Sequence, residues 1–398
     1  MTTPPAATHR TAATAGYYAG FVCLGIAVGI TGPTLPELAR NTHSPLGALG
    51  FLFTARSIGY ILGSLLPGRL YDRLPGHVVA AVSLMAIAIL LALIPVAPLL
   101  GLLAVAIFML GAADSVLDVG ANTLLVRQHG AGSGPFMTAL HFFYGVGAFG
   151  APLVAGWAIA SAGSARWAYW GLAVLMLPAA LWLVRLPSPP AHMERSTAAE
   201  GQSDAVLVAL IALLFFCYVG AEVGFSGWIS SYAIAAGLTG EAEAAYLASA
   251  FWGVFTVGRL VAVPIASRVR PRYVLLADIL GVITSLGLIC WLPQSHWALW
   301  AGTIGTGFFL ASIFPTNVNL ASRRIALTGR MTGIFFSVGS LGAMILPLVV
   351  GQLLGRISPT TAIMAFWLDA GAMLVVWAAL MLRTDRMAHV ANHPKPLT

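Results

Sequence analysis

Charge is what this sequence has least of. Only 8% of its 398 residues are Asp, Glu, Lys or Arg, against about a quarter in an ordinary soluble domain. A soluble chain of this length could not cover its surface with so little charge, so an ordinary soluble enzyme is excluded. Disorder is excluded as well, because it needs low hydrophobicity and high charge density, and 59% of these residues are hydrophobic. Lysine is nearly absent: Lys395 stands beside 19 arginines. Cysteine is scarce, with Cys23, Cys217 and Cys290 all inside apolar stretches. An odd, buried set of that kind is no disulfide framework, and its spacing is no zinc site. No H-E-x-x-H, G-x-S-x-G or G-x-x-x-x-G-K-[ST] pattern occurs, which leaves no support for a zinc protease, a serine hydrolase or an ATPase. Of the nine histidines only His141 lies well inside a long apolar run. An intramembrane enzyme would lack the nucleophile–base pair or metal cluster it needs.

What is present is apolar length. A spanning helix takes about 20 apolar residues, and hydropathy places twelve of them near 14–38, 46–70, 77–97, 99–126, 136–161, 166–185, 205–232, 244–267, 273–292, 297–322, 330–352 and 359–382. The fold class expected is an all-α polytopic membrane protein. The stretch before the first span is Thr/Ala-rich and carries no convincing cleavage site, so the first span reads as an uncleaved helix. The longest loop contains Pro187, Pro189, Pro190 and Asp204 and falls mid-chain, as a linker between two halves would. The expected division is a tail over 1–13, a bundle over 14–185, a linker over 186–204, a second bundle over 205–382 and a tail over 383–398.

Arginine sets the orientation. With both termini inside, 15 basic residues fall on the cytoplasmic side, 3 (Arg40, Arg166 and Arg356) fall outside, and Arg56 and Arg259 lie within spans. That is a strong positive-inside asymmetry. It also accounts for the net charge of +7 without nucleic acid as a partner.

The two halves repeat. Gly25, Gly29 and Gly32 in span 1 stand at the spacing of Gly220, Gly224 and Gly227 in span 7, at an offset of 195. Gly147, Pro152, Leu153, Val154 and Gly156 in span 5 match Gly342, Pro347, Leu348, Val349 and Gly351 in span 11 at the same offset. Six spans repeated in one orientation give two six-helix bundles related by an axis along the membrane normal, the arrangement of major facilitator transporters. The loop after span 2, Gly68-Arg69-Leu70-Tyr71-Asp72-Arg73-Leu74-Pro75-Gly76-His77, resembles that superfamily's G-x-x-x-D-R-x-G-R-R signature, with Pro75, Gly76 and His77 replacing its last residues. The expected conformational latch is Gly68, Asp72 and Arg73. Gly68 would allow close helix approach, and Asp72 would pair with arginine at a cytoplasmic helix end.

Ionisable residues inside a bilayer are costly and mark function by default. Span 4 carries Asp114, Asp118 and Asn122, four apart and therefore on one helix face. Span 5 brings His141 and Tyr144 to about the same depth. Span 7 places Glu222 among its glycines, which are expected to loosen the helix near the midplane, with Trp228 following. Pro315, Asn317 and Asn319 mark span 10. The candidates for cation or proton coupling are Asp114, Asp118, His141 and Glu222. Those for substrate are Asn122, Tyr144, Glu222, Trp228, Asn317 and Asn319. Arg56 and Arg259 have no partner evident in sequence, and each can neutralise one of these acids. Asp278 reads as one member of a structural pair, and Asp369 has no explanation.

Three stretches carry a closer resemblance: Leu117-Asp118-Val119-Gly120-Ala121-Asn122-Thr123, Leu140-His141-Phe142-Phe143-Tyr144-Gly145-Val146-Gly147-Ala148 and Tyr218-Val219-Gly220-Ala221-Glu222-Val223-Gly224. They resemble the fucose–proton symporter branch and its relatives, the sodium-dependent glucose transporters. The resemblance implies a monosaccharide as substrate, a proton or sodium ion as driver, no cofactor or metal, and a span-4 acid with the span-7 Glu as functional residues. The expected protein is a cation-coupled alternating-access transporter. It is expected to be monomeric and multi-pass in the cell (inner) membrane, with both termini cytoplasmic. The alternative is a proton-coupled efflux antiporter for drugs or metabolites.

Overall fold

The computed structural model describes residues 7–190, 204–325 and 329–392. Most of the expected linker 186–204 and the ends of both tails lie outside the described residues. A chain this apolar must satisfy its backbone internally, and it does so with helices. In chain order they are α1 Ala7–Gly29, α2 Thr31–Asn41, α3 Gly50–Gly63, α4 Pro67–Arg73, α5 Gly76–Leu93, α6 Leu100–His129, α7 Gly134–Ala162, α8 Arg166–Val184, α9 Ala205–Ala235, α10 Glu241–Ala266, α11 Pro271–Trp291, α12 His296–Leu310, α13 Ile313–Ser322, α14 Gly329–Arg356 and α15 Pro359–Asn392. Among the described residues twelve helical stretches are long and apolar enough to cross a membrane. Helix also extends into both expected tails, since α1 begins at Ala7 and α15 runs to Asn392.

Three spans are interrupted. The first breaks at Ile30 between α1 and α2, the second at 64–66 between α3 and α4, and the tenth at Ala311–Ser312 between α12 and α13. Proline has no N–H for the residue four before it. Pro33 thus cannot donate to the Gly29 carbonyl, nor Pro315 to that of Ala311. Pro67 opens α4, where its missing donor costs nothing. Span 7 is different from the expectation: α9 is continuous for 31 residues, and its glycines serve packing. Gly224 lies against the Phe366 ring and Gly227 against the Phe53 ring.

The repeat is legible in the packing. Spans 1 and 5 pair as α1 on α7, and spans 7 and 11 pair as α9 on α14. Spans 2 and 4 pair as α3 on α6, matching α10 on α12. Spans 3 and 6 pair as α5 on α8, matching α11 on α15. The repeated glycines sit on these seams. A Cβ on Gly147 would overlap the Val22 carbonyl, and one on Gly342 would overlap the Phe216 carbonyl. Small residues that let helix backbones touch are the usual seam between helices in lipid.

Among the described residues the halves meet from mid-span to the end away from the termini. There Gly32 faces the backbone of Ser226 and Gly227, and Gly47 faces that of Gly351 and Gly355. Thr54 donates to the Met344 carbonyl (3.1 Å), Ser249 to that of Phe149 (2.8 Å) and Gln352 to that of Gly47 (3.1 Å). Arg40 and Glu241 bridge the rim at 2.5 Å. Below this seam the halves part around a cavity of 880 Å³ that extends towards the end carrying both termini, where Thr138, Ala266 and Phe336 belong to its wall.

Candidate functional site

The cavity wall carries Arg56, Tyr60, Asp114, Asp118, His141, Tyr144, Glu222, Arg259 and Asn319. The first four form a ladder between spans 2 and 4. Arg56 and Tyr60 are four apart on α3, and Asp114 and Asp118 are four apart on α6, which runs parallel to it. Both rungs therefore form at once. Arg56 donates to Asp114 Oδ2 from Nη2 (2.5 Å) and Nε (3.2 Å), and from Nη1 to the Ala27 carbonyl (3.0 Å). Tyr60 donates its hydroxyl to Asp118 Oδ2 at 2.6 Å. Asn122 donates to Asp118 Oδ1 at 2.9 Å. The close approach needs glycine: a Cβ on Gly59 would overlap the Phe108 carbonyl, and one on Gly111 the Arg56 carbonyl.

The two acids differ in compensation. Asp114 is 3% exposed and holds a guanidinium. Asp118 is half-buried and has no cation within salt-bridge distance among the described residues. The third cavity acid, Glu222 on α9, is 4.0 Å from Arg259 of α10. Arg259 lies over the Phe255 ring at 4.5 Å. Each half thus brings one acid–arginine pair to the cavity, and the first half adds an acid without one.

Several expected residues stand elsewhere. Trp228 is 1% exposed, tilts against Phe53 (5.8 Å) and donates to the Pro347 carbonyl (2.9 Å). It lies off the cavity wall and inside the seam that closes the far end. Asn122 and Asn317 are also off the wall: the first braces Asp118, and the second is fully buried with its amide near the Ile211 carbonyl (3.5 Å). Asn319 lines the cavity and accepts from Arg323 (3.0 Å). His141 does not meet the carboxylates. Its ring lies edge-on to Phe21 at 5.6 Å, and Tyr60 occupies the place beside Asp118. The expected latch also changes. A Cβ on Gly68 would meet nothing within 4 Å, so no helix approaches there. Asp72 pairs with Arg127 at 2.6 Å rather than with Arg73, and Arg127 also donates to the Tyr71 carbonyl (2.8 Å). This ties α4 to the end of α6 within one half. The glycine that serves close contact here is Gly120, whose absent side chain makes room for the Tyr71 ring. Away from the cavity, Asp278 accepts from Ser312 at the break in span 10, and Asp369 lies beside Cys217.

Sequence reasoning missed Tyr60. The available signal was its place four residues after Arg56, parallel to the step from Asp114 to Asp118.

Two bundles of six helices around a central cavity are the frame of one transporter family, and a model of the Major Facilitator Superfamily matches residues 17–347. The chain belongs to the Major Facilitator Superfamily. It is therefore a membrane transporter and not an enzyme. It is 30% identical over 377 residues to sodium-dependent glucose transporter 1A of Mus musculus, covering 85% of this chain and 89% of that one. Among solved structures it is similar to a nucleoside transporter (TM-score 0.75, 15% identity, 94% of this chain and 99% of that one). It is also similar to the fucose:proton symporter of E. coli (TM-score 0.61, 20% identity, 92% and 98%). The branch resemblance carried by the three motifs agrees with the first of these relatives. In this superfamily member the cavity lies where the two bundles meet, as a site served by alternating access requires.

Proposed function

We propose that this transporter is a monosaccharide–cation symporter in which Asp118 carries the coupling ion, a proton or sodium. The observation that supports this is the difference between Asp118 and the other two cavity acids. Asp114 and Glu222 each have an arginine, and Asp118 has only the neutral Tyr60 and Asn122. When the cavity closes, a bare carboxylate would be carried into a low-dielectric interior at a cost of several kcal/mol. A bound cation or proton removes that cost. The loaded protein can then change state, and the uncompensated one is held back. His141, Tyr144 and Asn319 line the same space and offer polar contacts to a sugar, with Glu222. The sugar reading comes from the name of the mouse relative.

The cavity mouth, with both termini, faces the cytoplasm in this reading, because 15 basic residues gather at that end against 3 at the other. The cell (inner) membrane is the proposed location and a monomer the proposed working unit. The state described is then inward-open, with its outer seam shut.

The test is uptake of a labelled hexose panel into proteoliposomes under an imposed proton gradient and, separately, a sodium gradient. Accumulation should follow one gradient and be lost in Asp118→Asn. Absence of hexose movement under both gradients, with the protein shown to be folded, would overturn the sugar reading and favour an efflux substrate.

A further inference from the structure

The two acid–arginine pairs in the cavity are not equivalent. Arg56 meets Asp114 at 2.5 Å and spends a third N–H on the Ala27 carbonyl. Its guanidinium is engaged at all three nitrogens. Arg259 stands 4.0 Å from Glu222, beyond hydrogen-bonding distance, and donates no hydrogen bond at normal geometry among the described residues. Its guanidinium rests on the Phe255 ring. Behind them the buried Tyr218 hydroxyl lies within reach of both groups, though not at ideal hydrogen-bond geometry. In the first half Asp118, Tyr60 and Asn122 already bond to one another. Glu222 and Arg259 therefore face the cavity as an acceptor and a forked donor held apart by one gap, across from the His141 and Tyr144 side chains of the first half.

Buried polar groups left unmatched are costly, and a guanidinium can only donate while a carboxylate can only accept. A ligand that fits between them must offer a donor to the carboxylate and an acceptor to the guanidinium. Two hydroxyls on neighbouring carbons do so: one donates to the carboxylate while the other accepts from the guanidinium. We propose that Glu222 and Arg259 form a clasp for an adjacent pair of hydroxyls on the substrate, with Tyr218 positioning Glu222 from behind. This rests on the monosaccharide reading above and specifies it: the required feature is a vicinal diol, and Arg259 joins the substrate-contacting residues. It also divides the labour between the halves, with the ion on the first bundle and the sugar's diol on the second. Binding of the diol draws Glu222 and Arg259 together through the substrate.

The experiment is equilibrium binding of labelled D-glucose to the purified full-length protein, with each monodeoxy-glucose as competitor. Wild type, Arg259→Gln, Arg259→Lys and Tyr218→Phe are compared, each first shown to be folded by thermal unfolding. In wild type two deoxy positions on neighbouring carbons should weaken competition by about tenfold or more, since a site built to bond a hydroxyl rejects the analogue lacking it. Arg259→Gln should lose about tenfold in affinity for glucose and no longer distinguish one of those two deoxy sugars, and Arg259→Lys should recover part of both effects. A merely structural arginine would lower stability without changing which deoxy sugar is rejected. A folded Arg259→Gln with wild-type affinity and wild-type discrimination overturns the clasp and leaves the symporter reading standing. If Arg259→Gln does not fold, Arg259→Lys carries the same comparison. Wild type that binds no glucose, and moves no hexose in the panel above, removes the sugar reading and the clasp with it.

Discussion

Arg56 grips Asp114 through one carboxylate oxygen only. Nε and Nη2 both donate to Oδ2, while Oδ1 is buried without a partner. The contact neutralises an acid that is 3% exposed and joins spans 2 and 4 at cavity depth. Removing either member alone leaves a buried charge, which costs about 3–5 kcal/mol. Arg56→Gln should therefore lower thermal stability in detergent sharply, and adding Asp114→Asn should restore much of it. A double mutant no more stable than Arg56→Gln would show that the pair is not the relevant contact.

The glycine seams allow a sharp contrast. A side chain on Gly342 meets the Phe216 carbonyl, backbone against backbone, whereas one on Gly68 meets nothing. Gly342→Ala should destabilise by about 1–3 kcal/mol, the range for overpacking. Gly68→Ala should stay within about 0.5 kcal/mol, as an unconstrained surface substitution does. Chemical unfolding of both variants side by side measures the difference.

The seam at the end away from the termini should be the easiest place to hold the transporter open. Gly47 packs on Gly351 and Gly355, and a Cβ there would stand 2.6 Å from the Gly351 carbonyl oxygen. Gly47→Val should keep the halves from closing at this end. Spin labels placed at Arg40 and Glu241 would report it as a longer distance distribution. The Arg40–Glu241 pair itself is exposed at 56% and 33%, so replacing its two members with labels should leave the closed seam otherwise undisturbed, as surface pairs contribute about 0.2–1 kcal/mol.

One acid outside the spans gives a pH dependence. Asp204 caps α9 by accepting from the Val206 and Leu207 N–H groups, and it pairs with Arg383 of α15. Desolvation pushes its carboxyl up, but Arg383 and the two backbone donors outweigh this and hold it below the ordinary carboxylate range. A depressed native value means that the stabilisation is complete above the unfolded value of about 3.9 and fades as pH falls through the native one. Unfolding temperature followed from pH 7 downwards should show this loss in wild type, and Asp204→Asn should show a shallower fall over the acid range. Identical slopes would remove Asp204 from the account.

Much of this was open to a reader of the sequence. Apolar length alone places the twelve helices, because a backbone in lipid has no alternative to internal hydrogen bonds. The offset of 195 between Gly147 and Gly342 implies the paired bundles, because a residue that must be small recurs wherever the same seam recurs. The candidacy of Asp114, Asp118 and Glu222 follows from the cost of charge in a bilayer, which is a property of residue type and depth. What the tertiary structure decided is which groups meet. Arg56 finds Asp114 and leaves Asp118 to Tyr60 because spans 2 and 4 lie parallel in one register, set by Gly59 and Gly111. Trp228 leaves the cavity for the seam because the halves close there, and Gly120 rather than Gly68 proves to be the spacer because the Tyr71 ring turns inward. Hydropathy and periodicity are properties of one helix and its solvent, whereas rotation and register between helices are settled by side chains far apart in the chain. The pairing of each buried charge depends on that register.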